Sequence, residues 1–206
     1  MRKLILAACL ATSALPALAL TVHTSQFIFG GGTNFTSFEN LGYITGGNGV
    51  NSYSEDGIDV AYVGTGKIWS FSQTAADGVF SWYPDGGGYG YTSFSFDDAS
   101  GFQLLVGSGF YSAGLTVSWE VLLDGALVDT GSLDNYVPAN GGGWVYFGFS
   151  DTLFDEVHLQ VRNSTGPFSA GAFEAGAYDA VTLTNAIPGG VPEPASWALM
   201  IAGFGL

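Results

Sequence analysis

Along residues 20–187, apolar and polar positions alternate with a period of two in one segment after another. This spacing puts apolar side chains on one face of a β-strand and polar ones on the other. Leu115, Val117, Trp119 and Val121 alternate with Thr116, Ser118 and Glu120. Val157, Leu159 and Val161 alternate with His158, Gln160 and Arg162, and Phe94 and Phe96 alternate with Ser93 and Ser95. Asp124-Gly125 stands between the apolar runs Leu122-Leu123 and Ala126-Leu127-Val128. It predicts a tight hairpin, because both central residues of such a turn take positive φ. Segments around 22–29, 33–38, 58–63, 67–72, 79–83, 144–149 and 179–184 bring the set to about ten strands. Gly46-Gly47-Asn48-Gly49, Gly86-Gly87-Gly88 and Gly141-Gly142-Gly143 separate them. No strong 3.6-residue period and no internal repeat competes, so a sandwich or jelly roll is predicted.

Composition narrows the class. The chain has 206 residues, of which 32 are glycine, and 15% are aromatic. Many aromatics with little charge fit a packed β-domain rather than disorder. Acidic residues number 18 against 4 Lys and Arg, for a net charge of −14. Two of the four bases, Arg2 and Lys3, lie at the extreme N-terminus, which leaves Lys67 and Arg162 for the domain. Such a surface repels phosphate backbones, so nucleic acid is excluded as a partner. It is compatible with cations, neutral glycans or solubility outside a cell.

Both ends read as addresses. Residues 1–19 carry a basic start, a short apolar run from Leu4 to Leu15 and the small-residue pattern Ala17-Leu18-Ala19. These are the parts of a secretory signal peptide cleaved after Ala19. The single cysteine, Cys9, follows Leu6-Ala7-Ala8, as in a lipoprotein box. Too few apolar residues precede it for that reading. If Cys9 leaves with the signal, the mature domain has no disulfide, thiol nucleophile or thiolate metal site. At the other end, Val191-Pro192-Glu193-Pro194-Ala195-Ser196-Trp197-Ala198 resembles the PEP-CTERM sorting signal of Gram-negative bacteria, in its variant with Trp-Ala after Pro-Glu-Pro. Pro192, Glu193, Pro194, Trp197 and Ala198 carry the likeness. The resemblance implies export by the general secretion machinery, processing by an exosortase, transient membrane association and a setting of exopolysaccharide or biofilm. It also implies a membrane-spanning helix followed by arginines. Here Ala195 to Leu206 is uncharged but only 12 residues long, about 18 Å as a helix against a hydrocarbon core of roughly 30 Å. Segment 188–206 therefore reads as a truncated sorting segment.

The order of landmarks between these ends is similar to that of galactose-binding-like jelly rolls. Phe38-Glu39-Asn40 comes early and Gly101-Phe102-Gln103-Leu104 centrally. Trp144, Phe154-Asp155-Glu156-Val157 and a last strand Tyr178-Asp179-Ala180-Val181-Thr182-Leu183 follow. The resemblance implies a single antiparallel β-sandwich of jelly-roll type over residues 20–187, flanked by the signal peptide and the sorting segment.

Catalytic chemistry finds little footing. The histidines are His23 and His158, and neither a Gly-x-Ser-x-Gly elbow nor a His-Glu-x-x-His motif occurs. No Ser-His-Asp set is selected, and paired carboxylates are uninformative in so acidic a chain. Acidic clusters suit calcium, which takes oxygens from carboxylates and loop carbonyls. Asp97 and Asp98, with Asp155 and Glu156, are the candidates for one structural calcium; Asp151 lies near the second pair, and Glu55-Asp56-Gly57-Ile58-Asp59 is a further acidic cluster. Solvated turns account for the same residues. The segment Ser81-Trp82-Tyr83-Pro84-Asp85-Gly86-Gly87-Gly88-Tyr89-Gly90-Tyr91 sets four aromatics around a glycine turn. Aromatic faces stack on the C–H face of a sugar while Asp85 accepts from its hydroxyls. Trp82, Tyr83, Asp85, Tyr89 and Tyr91 are thus the expected glycan site, unless Trp82 is a core anchor. Gly143-Trp144-Val145-Tyr146 is a second aromatic patch. The expectation is a non-enzymatic, exported surface or matrix protein that binds extracellular polysaccharide or adheres. The alternatives are a purely structural surface protein and, behind it, a secreted glycan hydrolase.

Overall fold

The computed structural model describes residues 19–28, 33–44, 50–70, 75–84, 89–108, 114–139, 143–163, 165–170, 173 and 176–185. In chain order these form β1 (Thr21–His23), β2 (Asn34–Thr36), β3 (Ser52–Glu55), β4 (Ile58–Gly64), β5 (Ile68–Trp69) and β6 (Tyr83–Pro84). Then follow β7 (Gly90–Gly107), β8 (Leu115–Leu123), β9 (Ala126–Val137), β10 (Val145–Arg162) and β11 (Ala177–Asn185). Among the described residues one 3-10 turn, Glu39–Leu41, interrupts them. Among the described residues no helix is long and apolar enough to cross a membrane.

The architecture is an all-β sandwich, built on two strands of 18 residues each. β7 and β10 pair antiparallel from Val145↔Val106 to Leu159↔Thr92, with bulges between Ser150 and Glu156. Asp151 takes φ 71° there. A bulge adds an unpaired residue and bends its strand, so the long ladder turns a corner. On one side of the bend β1, β11 and β2 flank it. On the other side β8 and β9 extend it from β10, and β4 and β3 extend it from β7. A small second sheet joins β5 to β6.

The two halves face each other across an aromatic core. Trp119 of β8 meets Phe147 and Phe149 of β10 at 5.4 and 5.7 Å between ring centroids. Phe94 meets Phe102 and Tyr178 edge-on at 5.4 and 5.6 Å. Period-two alternation explains the rows. Val121, Val157, Phe94 and Val60 stand in register across four strands, and all are fully buried. Each such side chain contributes roughly 1.5–3 kcal/mol. The hairpin at Asp124-Gly125 forms as expected, with φ 52° and 73°.

Three expectations change. Segments 144–149 and 157–161 are one strand, bent by a bulge. Segment 79–83 is strand only at Tyr83; Val79 and Phe80 lie in a loop whose N–H groups donate to the Glu39 carboxylate at 2.8 and 2.9 Å. Strand β3, with its Tyr53, is an addition to the predicted set. Ala19 is exposed. Ala17 and the sorting residues Pro192, Glu193, Pro194, Trp197 and Ala198 lie outside the described residues.

Candidate functional site

The alternation that buries Trp119, Leu159 and Phe94 sends their neighbours to the outer face of the same half-sheet. Thr130, Glu120, His158, Ser93, Ala61 and Ser52 stand in register there, one from each strand from β9 to β3. Neighbouring strands lie about 4.8 Å apart, so these side chains form one continuous row.

His158 is its centre. Its Nε2 lies 2.8 Å from Glu156 Oε1, and its Nδ1 lies 3.3 Å from Glu120 Oε2. One carboxylate thus faces each ring nitrogen. Ser93 Oγ donates to Glu156 Oε1 at 2.7 Å. The imidazole ring is tilted against Tyr91 at 4.5 Å and stacked with Phe168 at 6.0 Å. Burial pushes the Glu156 carboxyl up, but hydrogen bonds from Ser93 and His158 outweigh it and hold the group below the usual range. Burial raises the Tyr91 phenol, and the charges of Glu156 and Glu120 raise it further. Tyr91 therefore stays a neutral donor beside an acidic row. Tyr89, 57% exposed, meets Phe173 edge-on at 5.9 Å at the start of the same strand region.

The expected aromatic platform is corrected in part. Trp82 is fully buried and Tyr83 is 6% exposed. Trp82 exchanges backbone hydrogen bonds with Tyr178 and donates its Nε1–H to Thr92 Oγ1 at 3.3 Å. Its ring lies 6.3 Å from that of Phe38. Neither Trp82 nor Tyr83 offers a face to a sugar; they are core. Asp85 lies outside the described residues. Tyr89 is exposed, while Tyr91 is half-buried with its ring against His158 and Phe168. Trp144, of the second aromatic patch, is half-buried and lies across Gly107, where a Cβ would sit 3.0 Å from its ring.

The expected calcium residues do not form one ligand set among the described residues. Asp97 and Asp98 are exposed at the bend. Asp155 accepts from the Asp124 N–H at 2.9 Å, while Glu156 is engaged by His158 and Ser93. Asp155 and Glu156 are thus held by different partners at the bulge. Among the described residues no group of three His, Cys, Asp or Glu side chains is arranged to hold a metal. The acidic turn at Glu55 serves packing instead. Glu55 accepts from Thr36 Oγ1 at 2.5 Å and from Asn40 Nδ2. Asp56 Oδ2 accepts from the Phe35 N–H at 2.8 Å.

The structure brings together Tyr91 and Glu156, which the sequence assigned to different sites, and joins to them Glu120, His158 and Ser93. The polar parity of Glu120 and His158 was visible in the sequence; their register was not. Chemically, the row offers hydroxyl and carboxylate partners and an aromatic edge. Ser93 donates a hydrogen bond to Glu156, and both His158 nitrogens face carboxylates. In comparisons with known proteins, no family model matches the chain and no curated protein matches it.

Proposed function

We propose that the protein is an exported bacterial surface or extracellular-matrix protein whose β-sandwich is a non-catalytic polysaccharide-binding or adhesive module. The signal-like residues 1–19 and the Pro192-Glu193-Pro194 segment support export by the secretion machinery and sorting by an exosortase. The observation that carries the binding reading is the outer row, where the half-buried Tyr91 adjoins the Glu120–His158–Glu156 network and the exposed Tyr89 precedes it on the chain. Phenol edges with adjacent carboxylate acceptors suit a ligand that presents both C–H faces and hydroxyls. The jelly-roll form of the sandwich belongs to the same reading.

Affinity electrophoresis of the full chain through gels holding different polysaccharides tests it. One polymer slows the protein, and Tyr91→Ala weakens that retardation roughly tenfold while the fold is kept. Unchanged mobility in every polymer overturns the reading. The burial of Trp82 and Tyr83 favours a second reading, a structural surface protein without a specific ligand, and that result would select it.

A further inference from the structure

Resting on the polysaccharide reading above, we infer that the outer row takes a polymer of amine-bearing sugars, docked across β3, β4, β7, β10 and β8. Charge decides the class. Glu120 and Glu156 flank His158, and the exposed Asp59 stands one register step away, opposite Ser95, which itself pairs with Glu156. The domain's two bases do not compensate them. Arg162 is buried and gives its Nη2 to the carbonyls of Gly166 and Pro167. Lys67 lies in the link between β4 and β5, outside the row. Two carboxylates therefore share one imidazole, with Asp59 beyond them, while Arg162, on the same parity of β10, is spent on loop carbonyls. A polyuronate or sulfated polymer is repelled there, and a neutral glucan gains no charge term. An ammonium group gains charge-assisted hydrogen bonds, which are shorter and about twice as strong as neutral ones.

Shape agrees with charge. Ser52, Ser54, Ala61 and Ser95 are small and at least partly exposed, with Ser93 buried among them, so the β3–β4–β7 part of the face is a low floor. Tyr91, His158 and Phe168 rise beside it as an aromatic wall. The wall's rings lie 4.5–6.0 Å apart. A chain of sugar rings laid on this floor meets hydroxyls beneath, phenol and imidazole at its side, and carboxylates where its amino groups fall.

An acidic protein is slowed by any polycation, so the test separates the row from bulk charge. Full-length protein is run through gels holding a β-1,4-glucosamine polymer, its N-acetylated counterpart, a neutral glucan or a polyuronate. The wild type is compared with Glu120→Gln/Glu156→Gln. The control is Asp77→Asn/Asp98→Asn, which removes the same charge from exposed sites elsewhere. Thermal melts confirm that each variant folds. The expected result is retardation by the glucosamine polymer that falls about fivefold or more in the row variant and less than twofold in the control. Equal losses in both variants, which would mean bulk charge only, overturn the inference. Preference for the acetylated, neutral or anionic polymer also overturns it, but leaves the polysaccharide reading standing. No retardation by any polymer removes both.

Discussion

Trp82 and Tyr178 exchange two backbone hydrogen bonds, of 3.0 and 2.9 Å, and both side chains are fully buried. This bridge ties the segment ahead of the glycine turn to β11, across the chain, and fixes the Trp82 ring inside the sandwich. Trp82→Ala therefore costs about 3–5 kcal/mol, the range for truncating a buried aromatic. Tyr89→Ala, at an exposed position, stays within about 0.5 kcal/mol. Urea unfolding of the two variants checks both figures. Equal small effects would return Trp82 to the surface.

A buried carboxylate makes stability depend on pH. Asp179 is fully buried; its Oδ2 accepts from the N–H groups of Ala76 and Asp77 at 2.7 and 2.9 Å, and its Oδ1 from that of Ala180 at 2.7 Å. Burial pushes it up to about 6, and nearby Asp77 adds to the rise, although the three N–H donors pull the other way. The native form thus holds a proton that the unfolded chain releases above about pH 4. Its stabilisation is full below that pH and is lost as pH rises through 6. A gap of about two units amounts to on the order of 3 kcal/mol. Glu55 and Glu156, held below their usual range, act in the opposite sense at lower pH. Comparing wild type with Asp179→Asn between pH 4 and 7 isolates the Asp179 contribution. The wild type loses stability relative to the variant across that interval. Parallel pH profiles would contradict the assignment.

The loop between Ala76 and Phe80 is held at both ends by carboxylates, Asp179 at one and Glu39 at the other. Gly78, with φ 68°, leaves room for the Glu39 carboxylate, which a Cβ there would meet at 2.3 Å. Glu39→Ala frees the Val79 and Phe80 amides while the Ala76 and Asp77 bonds persist. Hydrogen exchange at Val79 and Phe80 rises by about tenfold or more, in keeping with the loss of about 1.5 kcal/mol of charge-assisted bonding. Unchanged exchange would show that the loop is held by packing alone.

Gly131 faces Trp119 across the β8–β9 ladder. A Cβ at Gly131 would sit 2.5 Å from Trp119 Cζ2. The indole cannot retreat freely, because its Nε1 donates to Asp129 Oδ2 at 2.9 Å and its ring is tilted against Phe147 and Phe149. Gly131→Ala therefore destabilises by about 1–3 kcal/mol, the usual cost of overpacking. A melting temperature equal to the wild type would mean that β9 yields instead.

The fold class was legible because period-two runs such as Leu115 to Val121 report strands directly. The Asp124-Gly125 turn was legible because few residues tolerate positive φ. The bend in β7 and β10 was not, since a bulge at Asp151 leaves no signature in apolar periodicity. Trp82 was misread for a related reason. Local sequence places it beside a glycine turn, whereas its burial comes from a partner, Tyr178, nearly a hundred positions away. The outer row was half legible: Glu120, His158 and Ser93 fall on the polar parity of their strands, but only strand register makes them neighbours. Asp179 sat in view within a strand pattern, and nothing local marked it as buried.

The most direct test of the account is an amide chemical-shift map of the full chain, titrated with the polysaccharide that retards it most. The account predicts shifts gathered on Asp59, Tyr91, Ser93, Glu120 and His158, with the β2–β11 side of the sandwich silent. Shifts gathered on that opposite side, or no saturable shift with any polymer, would contradict it.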